Sequence, residues 1–220
     1  SVNMAGAAVL SAKAAYATGC GLVRVLTPEE NRIILQSCVP EAVLTTYDKN
    51  AAPGKAVLQE AFDWADAIVA GPGLGKEKTA AQILNFVLEY GTSQEKKAIL
   101  FDADADYAKE YHVVCVLKDE HTVTALPDGK KYLNLSGNSG MATAGSGDVL
   151  SGVIGTFMAQ KITPYQAAPL GVYLHGLSGD LMIRTTGLQG LTASDLICGI
   201  KKVLNIYTTK PIDNEQKFVE

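Results

Sequence analysis

The sequence predicts an α/β protein with a mainly parallel central sheet, on three observations. Segments with helical and strand-like apolar patterns alternate along the first hundred residues, as is typical of a parallel sheet. Hydrophobic residues make up 47% of the chain and charged residues 19%, a balance that suits strands covered on both faces. A glycine-rich loop, GPGLG, joins one strand to the next helix. With 220 residues the chain can bury one sizeable core, so we expect a single domain over residues 1–220.

The first half of the chain is predicted to alternate helices and strands. An Ala-rich helix over residues 5–17 ends in TGCG, where Gly19 and Gly21 can adopt the left-handed conformation that closes a helix. The other predicted elements of this half are strands over 22–26, 42–46, 67–70 and 98–102 and helices over 55–65 and 78–90.

The second half is predicted to begin with short strands and to end in helices. VVCVL, TVTAL and KKYLN are predicted strands, with a tight turn at residues 127–129, and a helix follows over 149–160. A helical segment over 163–186 contains Pro169 and three glycines, which we expect to bend or interrupt it. A capping pattern at 192–195 predicts a final helix that ends near Leu204.

Charge and composition argue against several classes of partner. A net charge of −4 argues against nucleic acid, and the lysine doublets are dispersed along the chain. No apolar run approaches the roughly 20 residues that cross a bilayer, and the opening helix lacks the basic residues that precede a signal sequence. The four cysteines are too scattered for a metal or redox motif, so we expect reduced thiols, buried at Cys115 and Cys198. These features predict a cytoplasmic protein without a membrane partner.

The segment GNSGMATAGSGD, residues 137–148, carries the strongest functional signal. It contains four glycines and leads directly into an apolar helix. Glycines at 137, 140, 145 and 147 allow positive φ and bring several backbone N–H groups together, while the helix start adds unpaired amides and the positive end of its dipole. We call this segment the glycine loop, and it predicts a phosphate-binding site.

Asp148 closes the glycine loop and has two interpretations. It can cap the helix, since Asp is a favoured N-cap residue. It can instead act on a ligand, because a carboxylate beside a phosphate repels it unless a metal or a reacting hydroxyl lies between them. For an isolated Gly-Ser-Gly-Asp the cap is favoured. The preceding glycines and Thr143 favour the functional interpretation.

Three other segments can carry chemistry, each with a structural alternative. The GPGLG loop, residues 71–75, lies at the carboxyl edge where open parallel sheets bind ligands, but it can also be a tight turn. Asp102 and Asp104 can hold Mg²⁺ through water or be a solvated strand end. Residues 118–122 can meet a nucleotide phosphate through their lysine or form a charged hairpin tip. His175 is interpreted as a core histidine.

Six segments of the chain, given below in chain order, resemble segments of one protein family. The chain is similar to the ADP/ATP-dependent NAD(P)H-hydrate dehydratases of the ribokinase-like superfamily, over about 200 of its 220 residues. The resemblance implies a three-layer α/β/α sandwich with a mainly parallel central sheet. The segments are MAGAAVLSAKAAYATGCGLV, AGPGLG, DADA, GNSGMATAGSGDVLSGVIG, GVYLHGLSGD and GLTASDL.

The resemblance implies an enzyme that repairs hydrated NADH and NADPH (NADHX and NADPHX). In that family ADP or ATP donates a phosphoryl group to the hydroxyl of the S form of the hydrate, and elimination of phosphate then restores the nicotinamide double bond. The nucleotide leaves as AMP or ADP. The resemblance also implies Mg²⁺ as a cofactor and assembly into a homo-oligomer, of which a tetramer is one form.

Site residues are carried over by motif. Asp148 would be the carboxylate that engages the hydroxyl, and it would line the hydrate side together with Ala7, Gly73 and Gly75. Gly147 and the loop before it would hold the transferred phosphate. The residues that would bind the nucleotide and its phosphates are Lys118, Asp119, Glu120, His121, Thr122, Asn138, Thr143, Ala144, Gly145, Ser146 and Gly147.

The chain departs from the family pattern in two places. Family members have a strand ahead of the MAGA helix that ends in a Gly-Ser turn, whereas this sequence starts at Ser1. The family's DADA also leads into Leu-Thr-Pro-His-Pro-Gly-Glu, and no such histidine or glutamate follows here. We therefore expect a first strand and a segment after about residue 105 to be missing, the latter omitted rather than deleted because Ala105 has no turn chemistry.

Two other functions remain open from the sequence. A small-molecule kinase of the same superfamily, acting on a vitamin-precursor alcohol, would share the glycine loop and Asp148. A nucleotide-binding protein without activity is favoured if the internal segment is truly deleted.

Overall fold

Helices cover both faces of parallel strands in this chain. The computed structural model describes residues 1–92, 97–101, 114–119 and 121–208. The helices are α1 (Ala5–Ala17), α2 (Arg32–Cys38), α3 (Lys55–Trp64), α4 (Lys78–Thr92), α5 (Ser146–Ala159), α6 (Pro164–Thr186) and α7 (Ala193–Thr208), and the strands are β1 (Arg24–Pro28), β2 (Val43–Tyr47), β3 (Ala67–Ala70), β4 (Ala98–Phe101), β5 (Cys115–Leu117), β6 (Val123–Ala125) and β7 (Lys131–Leu133).

The strands form two parallel pairs and one antiparallel meander. β1 pairs with β2 and β3 pairs with β4, both in parallel, as the alternation of helices and strands predicts. β5, β6 and β7 pair antiparallel with β6 in the middle. The predicted turn between β6 and β7 is confirmed, since Leu126 N–H donates to the Lys130 carbonyl at 2.9 Å.

Side chains of β3 and β4 alternate between two cores, one on each face of the pair. Ala67 and Leu100 pack into the core formed by α1, α5, α6 and α7. Ile68 and Ile99 point the other way, into the core of α3 and α4 around Phe62. This alternation with a period of two is the signature of strands covered on both faces and produces the predicted α/β/α layering.

The structure corrects several element predictions. α6 runs without interruption through Pro169, its sixth residue, so the predicted interruption is wrong; the proline lacks one N–H and its helical bond but does not end the helix. The glycines of α6 serve close packing instead: a Cβ at Gly171 would lie 2.5 Å from Ile154 Cγ1. α7 extends to Thr208, beyond the predicted end near Leu204. α2 was not predicted, because its exposed Ile33 and Ile34 obscure the helical pattern.

Smaller predictions have mixed outcomes. Gly19 follows α1 with φ of 98°, as predicted, whereas Gly21 does not have positive φ. The four cysteines are free, and Cys115 is buried, but Cys198 is exposed. The apolar run around Cys198 belongs to an amphipathic helix that buries its neighbour Ile197. Within the described helices, none is long and apolar enough to cross a membrane.

The contact between α1 and α5 generates a prediction about stability. A Cβ at Gly152 of α5 would overlap the Ser11 carbonyl and lie 2.9 Å from Ala14 Cβ, whereas a Cβ at Gly6 of α1 has nothing within 4 Å. Gly152→Ala should therefore lower the free energy of unfolding by about 1–3 kcal/mol through overpacking. Gly6→Ala, the matched control, should raise it by about 0.5–1 kcal/mol through helix propensity.

Urea denaturation of the two variants beside the parent chain measures both effects. A Gly152→Ala chain as stable as the parent would show that the two helices are not in backbone contact.

Candidate functional site

The glycine loop folds directly onto the start of α5, as the sequence predicts. Gly145 is the N-cap residue, with φ of 88°, and Gly137 has φ of 104°. Gly140 and Gly147 do not have positive φ, so this part of the prediction is wrong for them. They are needed for close approach instead, since a Cβ at Gly140 would lie 2.5 Å from the Leu188 carbonyl oxygen. Two glycines therefore shape the loop and two make room around it.

Asp148 lies in the first turn of α5 and is not its N-cap residue. Gly145 occupies the N-cap position, three residues earlier. A carboxylate in the first turn is still favoured by the helix dipole. Asp148 therefore does not cap the helix. Its carboxylate lies next to the helix start and is partly exposed to solvent.

Lys118 lies against the glycine loop. It is the first residue after β5, and a Cβ at Gly147 would be 3.1 Å from its Nζ. Thr122 Oγ1 donates to the Asp119 carbonyl at 3.5 Å across the turn that joins β5 to β6, while Asp119 and His121 are exposed. The segment is therefore a charged hairpin tip whose lysine reaches the loop, and Glu120 lies outside the described residues.

Asp180 of α6 holds the beginning of the glycine loop, a role that the sequence analysis missed. Its carboxylate accepts hydrogen bonds from Gly137 N–H at 2.8 Å and from Asn138 Nδ2 at 3.0 Å. Asn138 Oδ1 in turn accepts from Gly140 N–H at 3.1 Å. The signal was present, because Asp180 ends the motif YLHGLSGD. Charge-assisted bonds of this kind fix the loop on a rigid helix.

His175 lies below the start of α5. It is only 7% exposed, as expected of a core histidine, and its Nε2 lies 3.4 Å from Ser146 Oγ. Burial lowers the pKa of His175 to about 4. The contact with Ser146 raises this pKa, and the positive charge of Lys118 lowers it. The imidazole is therefore uncharged at neutral pH, so Lys118 supplies the positive charge at this point of the loop.

The middle of the glycine loop is a compact turn. Thr143 N–H donates to the Met141 carbonyl at 2.8 Å, and Ser146 N–H donates to the Thr143 carbonyl at 3.3 Å. Ala144 is exposed between them. Thr143 and Ala144 thus lie on the loop as predicted, and their contact with a nucleotide stays a prediction.

The GPGLG loop brings together the residues predicted for the hydrate side. Gly73 has φ of 65° and Gly75 has φ of 82°, so the loop is a turn that requires glycine. A Cβ at Gly73 would lie 3.2 Å from Ala7 Cβ, and one at Gly75 would lie 2.7 Å from Ser1 Cβ. The loop follows β3 at the carboxyl edge of the strand pair, where open parallel sheets bind ligands.

The two loops are joined by α1. Ala7 meets Gly73, and Leu10, one turn later, packs against Gly145 so closely that a Cβ there would overlap its Cδ1. The GPGLG loop and the glycine loop, the two predicted halves of the site, therefore both contact the first two turns of α1.

The described residues contain no cluster of three or more His, Cys, Asp or Glu side chains that could hold a metal by themselves. Asp102 and Asp104, the predicted water-mediated ligands, lie outside the described residues.

Comparisons with known proteins place the chain in a family. The chain is 31% identical to the bifunctional NAD(P)H-hydrate repair enzyme Nnr of Escherichia coli, over 91% of this chain and 45% of that protein. The chain thus spans about half the length of that relative.

Solved structures show the same fold. A ribokinase-like superfamily protein of Enterococcus faecalis matches with a TM-score of 0.79 and 25% identity, over 94% of this chain and 84% of that one. An ADP/ATP-dependent NAD(P)H-hydrate dehydratase of Bacillus subtilis, co-crystallised with ATP/Mg²⁺, matches with a TM-score of 0.75 and 26% identity, over 94% and 87% of the two chains.

The family model Carb_kinase, described as NAD(P)H-hydrate dehydratase, matches residues 1–112 and 105–202. The predicted ribokinase-like α/β/α fold is confirmed by the structural matches, and the chain belongs to the NAD(P)H-hydrate dehydratase family.

Proposed function

We propose that this protein dehydrates the S form of NADHX and NADPHX to NADH and NADPH, with ADP or ATP as phosphoryl donor. The products from the nucleotide are AMP or ADP and phosphate, and the reaction is one of metabolite repair in the cytoplasm. One observation carries the proposal: Lys118 lies against Gly147 at the start of α5, with Asp148 as the next residue of the same turn.

The start of α5 is suited to the phosphates of the nucleotide. The first turn of a helix presents N–H groups and the positive end of its dipole to an anion. Gly147 leaves room for the Lys118 ammonium beside that turn, because any side chain there would approach Nζ. Asp180 and Asn138 hold the other end of the loop, so the amides are positioned before a ligand arrives.

Asp148 is suited to accept the proton of the hydrate hydroxyl. The hydroxyl oxygen attacks the terminal phosphorus, the proton passes to Asp148, and the bond to the nucleotide leaving oxygen breaks. Phosphate then leaves with the C–O bond electrons, and loss of a proton from the adjacent carbon restores the double bond. Phosphoryl transfer has a loose transition state, so a carboxylate of ordinary basicity is sufficient once it is positioned.

The hydrate would lie on the GPGLG side of α1. Ala7, Gly73 and Gly75 have short or absent side chains, and Gly73 and Gly75 are at least partly exposed, so the backbone of the turn can come close to the hydrate ring. Because Ala7 and Leu10 are one turn apart on α1, a hydrate at Gly73 and a phosphate at the glycine loop would be neighbours.

Mg²⁺ would arrive with the nucleotide. Mg²⁺ in such sites is commonly held by one or two carboxylates together with substrate phosphates, so a protein cluster of three acidic groups is not needed. Asp148 is the described carboxylate at the helix start, and Asp102 and Asp104 remain predicted ligands through water. Assembly into a homo-oligomer also remains a prediction.

Asp148→Asn should lower turnover of NADHX by about 10²–10⁴-fold, because the amide cannot accept the proton. ADP or ATP affinity should survive, since the loop amides and Lys118 are unchanged. The measurement is the recovery of reduced-nicotinamide absorbance, with ADP and ATP tested in parallel, beside nucleotide titration calorimetry.

Asp128→Asn, in the exposed turn between β6 and β7, is the matched control and should leave turnover unchanged. Parental turnover in Asp148→Asn would remove Asp148 from the mechanism.

Lys118→Met should weaken nucleotide binding by about 10–100-fold, because one charge-assisted contact to phosphate is lost. Lys131→Met, on exposed β7, carries the same charge change away from the glycine loop and should bind nucleotide like the parent chain. Equal affinities of all three chains at low salt would show that Lys118 does not meet the phosphates.

A second function, nucleotide binding without turnover, follows if the predicted missing segment is truly deleted. About 200 residues of this chain, 91% of its length, fill an alignment of 245 positions with the Escherichia coli relative, so about 45 positions have no residue of this chain. The family model also matches in two stretches that overlap at residues 105–112 instead of one continuous stretch, which supports the predicted missing segment. Tight ADP binding with no NADHX turnover in the parent chain would select this function.

A further inference from the structure

One face of α6 lies against the glycine loop. A Cβ at Gly176 would overlap Ser136, just before the loop, and a Cβ at Gly179 would overlap Met141 Sδ within it. The helix and the loop are therefore in close contact, with no space for a side chain between them at these points. His175 belongs to the same face, because it precedes Gly179 by four residues, about one helical turn.

His175 is a costly residue to bury at this contact. It is 7% exposed, and among the described residues no Asp, Glu, Lys or Arg side chain is buried. A buried imidazole costs free energy unless its ring nitrogens are hydrogen-bonded. Its Nε2 lies 3.4 Å from Ser146 Oγ, at the start of α5. The polar atom of the buried ring is thus directed at the end of the glycine loop.

The direction of the Ser146 hydroxyl proton decides what this side chain can bind. Ser146 is partly exposed and precedes Gly147, where Lys118 Nζ approaches the helix start. A hydroxyl has one proton to donate, and an ionised phosphate oxygen can only accept. When Ser146 donates its proton to phosphate, its oxygen is left to accept from His175 Nε2–H. The opposite arrangement, with Ser146 donating to a bare Nε2, would present oxygen lone pairs to the anion.

The imidazole can donate to Ser146 without carrying a charge. Because burial lowers the pKa of His175 to about 4, the ring at neutral pH has one proton, on Nδ1 or on Nε2. A second ring proton would add a positive charge near Lys118, whose ammonium already acts to lower this pKa. His175 therefore donates to Ser146 as the neutral tautomer with its proton on Nε2.

We propose that His175 is a positioning residue for nucleotide binding, whose Nε2–H donates to Ser146 Oγ and so turns the Ser146 proton toward a phosphate at the start of α5. Lys118 supplies the charge that attracts the phosphate, and His175 supplies the direction of one hydrogen bond to it. The inference rests on the nucleotide binding proposed above, but it does not depend on turnover of the hydrate.

The first test measures ADP affinity by titration calorimetry. His175→Phe keeps an aromatic ring but has no ring N–H, and it should weaken ADP binding by about 3–10-fold, the value of one neutral hydrogen bond. His175→Gln can place an amide N–H where the imidazole Nε2–H lies, so it should recover most of this loss. Val172→Ala, a buried position about one turn earlier in α6, is the control for lost packing and should bind ADP like the parent chain.

Ser146→Ala distinguishes a positioning role of His175 from a purely structural one. This change removes the hydroxyl through which His175 acts, so it should also weaken ADP binding by about 3–10-fold. Adding His175→Phe to Ser146→Ala should then weaken ADP binding by less than about twofold more, because the two residues act through one hydrogen bond to phosphate.

¹⁵N NMR of labelled histidine side chains tests the proposed tautomer directly. The chain has three histidines, and the His175 signals are those that disappear in His175→Gln. In the parent chain with ADP bound, Nε2 of His175 should carry the proton and Nδ1 should be bare.

Several outcomes overturn the proposal. Parental ADP affinity in His175→Phe, no recovery in His175→Gln, or additive losses in the double variant would each do so, as would a proton on Nδ1 with ADP bound. If His175→Phe does not fold, the tautomer in the parent chain decides. A parent chain that does not bind ADP would overturn the proposed function as well, whereas any of the other outcomes with ADP bound overturns only the role of His175.

Discussion

The backbone contact between α1 and α5 is the constraint on which the site depends. Gly152 lets α5 approach the Ser11 carbonyl of α1, closer than any side chain would allow. α1 therefore reaches both loops at once, with Ala7 against Gly73 and Leu10 against Gly145. A larger residue at the contact would separate the two predicted halves of the site, because helices with bulky contact residues pack farther apart.

The glycine loop is held from the other side by α6. Asp180 accepts two hydrogen bonds from its beginning, and His175 lies beneath its end at Ser146. The buried imidazole stays uncharged because burial lowers its pKa to about 4. The end of the loop thus rests on an uncharged imidazole and its beginning on the Asp180 carboxylate, while the positive charge beside the loop comes from Lys118 on a separate hairpin. The groups that position the loop therefore lie on the packed helix α6, and the charged group lies at the solvent boundary. A lysine there keeps its hydration, so its charge costs little free energy.

Much of the fold was predictable because its elements are strongly patterned. α1 and β3 have the predicted bounds, and Thr192 with Asp195 forms the predicted capping pair, with Oγ1 donating to Oδ2 at 2.6 Å. The predicted interruption of α6 at Pro169 is wrong because tertiary packing outweighs local propensity, and the close contact of Gly171 with Ile154 is one that no local pattern reveals. Asp180 was missed for a related reason: its hydrogen bonds join residues about forty positions apart.

The sequence by itself determined the family, the α/β alternation and the position of the glycine loop at a helix start, because these depend on residue types at fixed local spacing. Only the tertiary structure decided which glycines shape the loop, that Asp148 follows the cap, and that Lys118 and Asp180 reach the loop from other elements. It also decided which of the described strands pair, β1 with β2 and β3 with β4, since strand pairing is a long-range interaction. Local patterns specify elements, whereas contacts between distant segments form only when those elements pack.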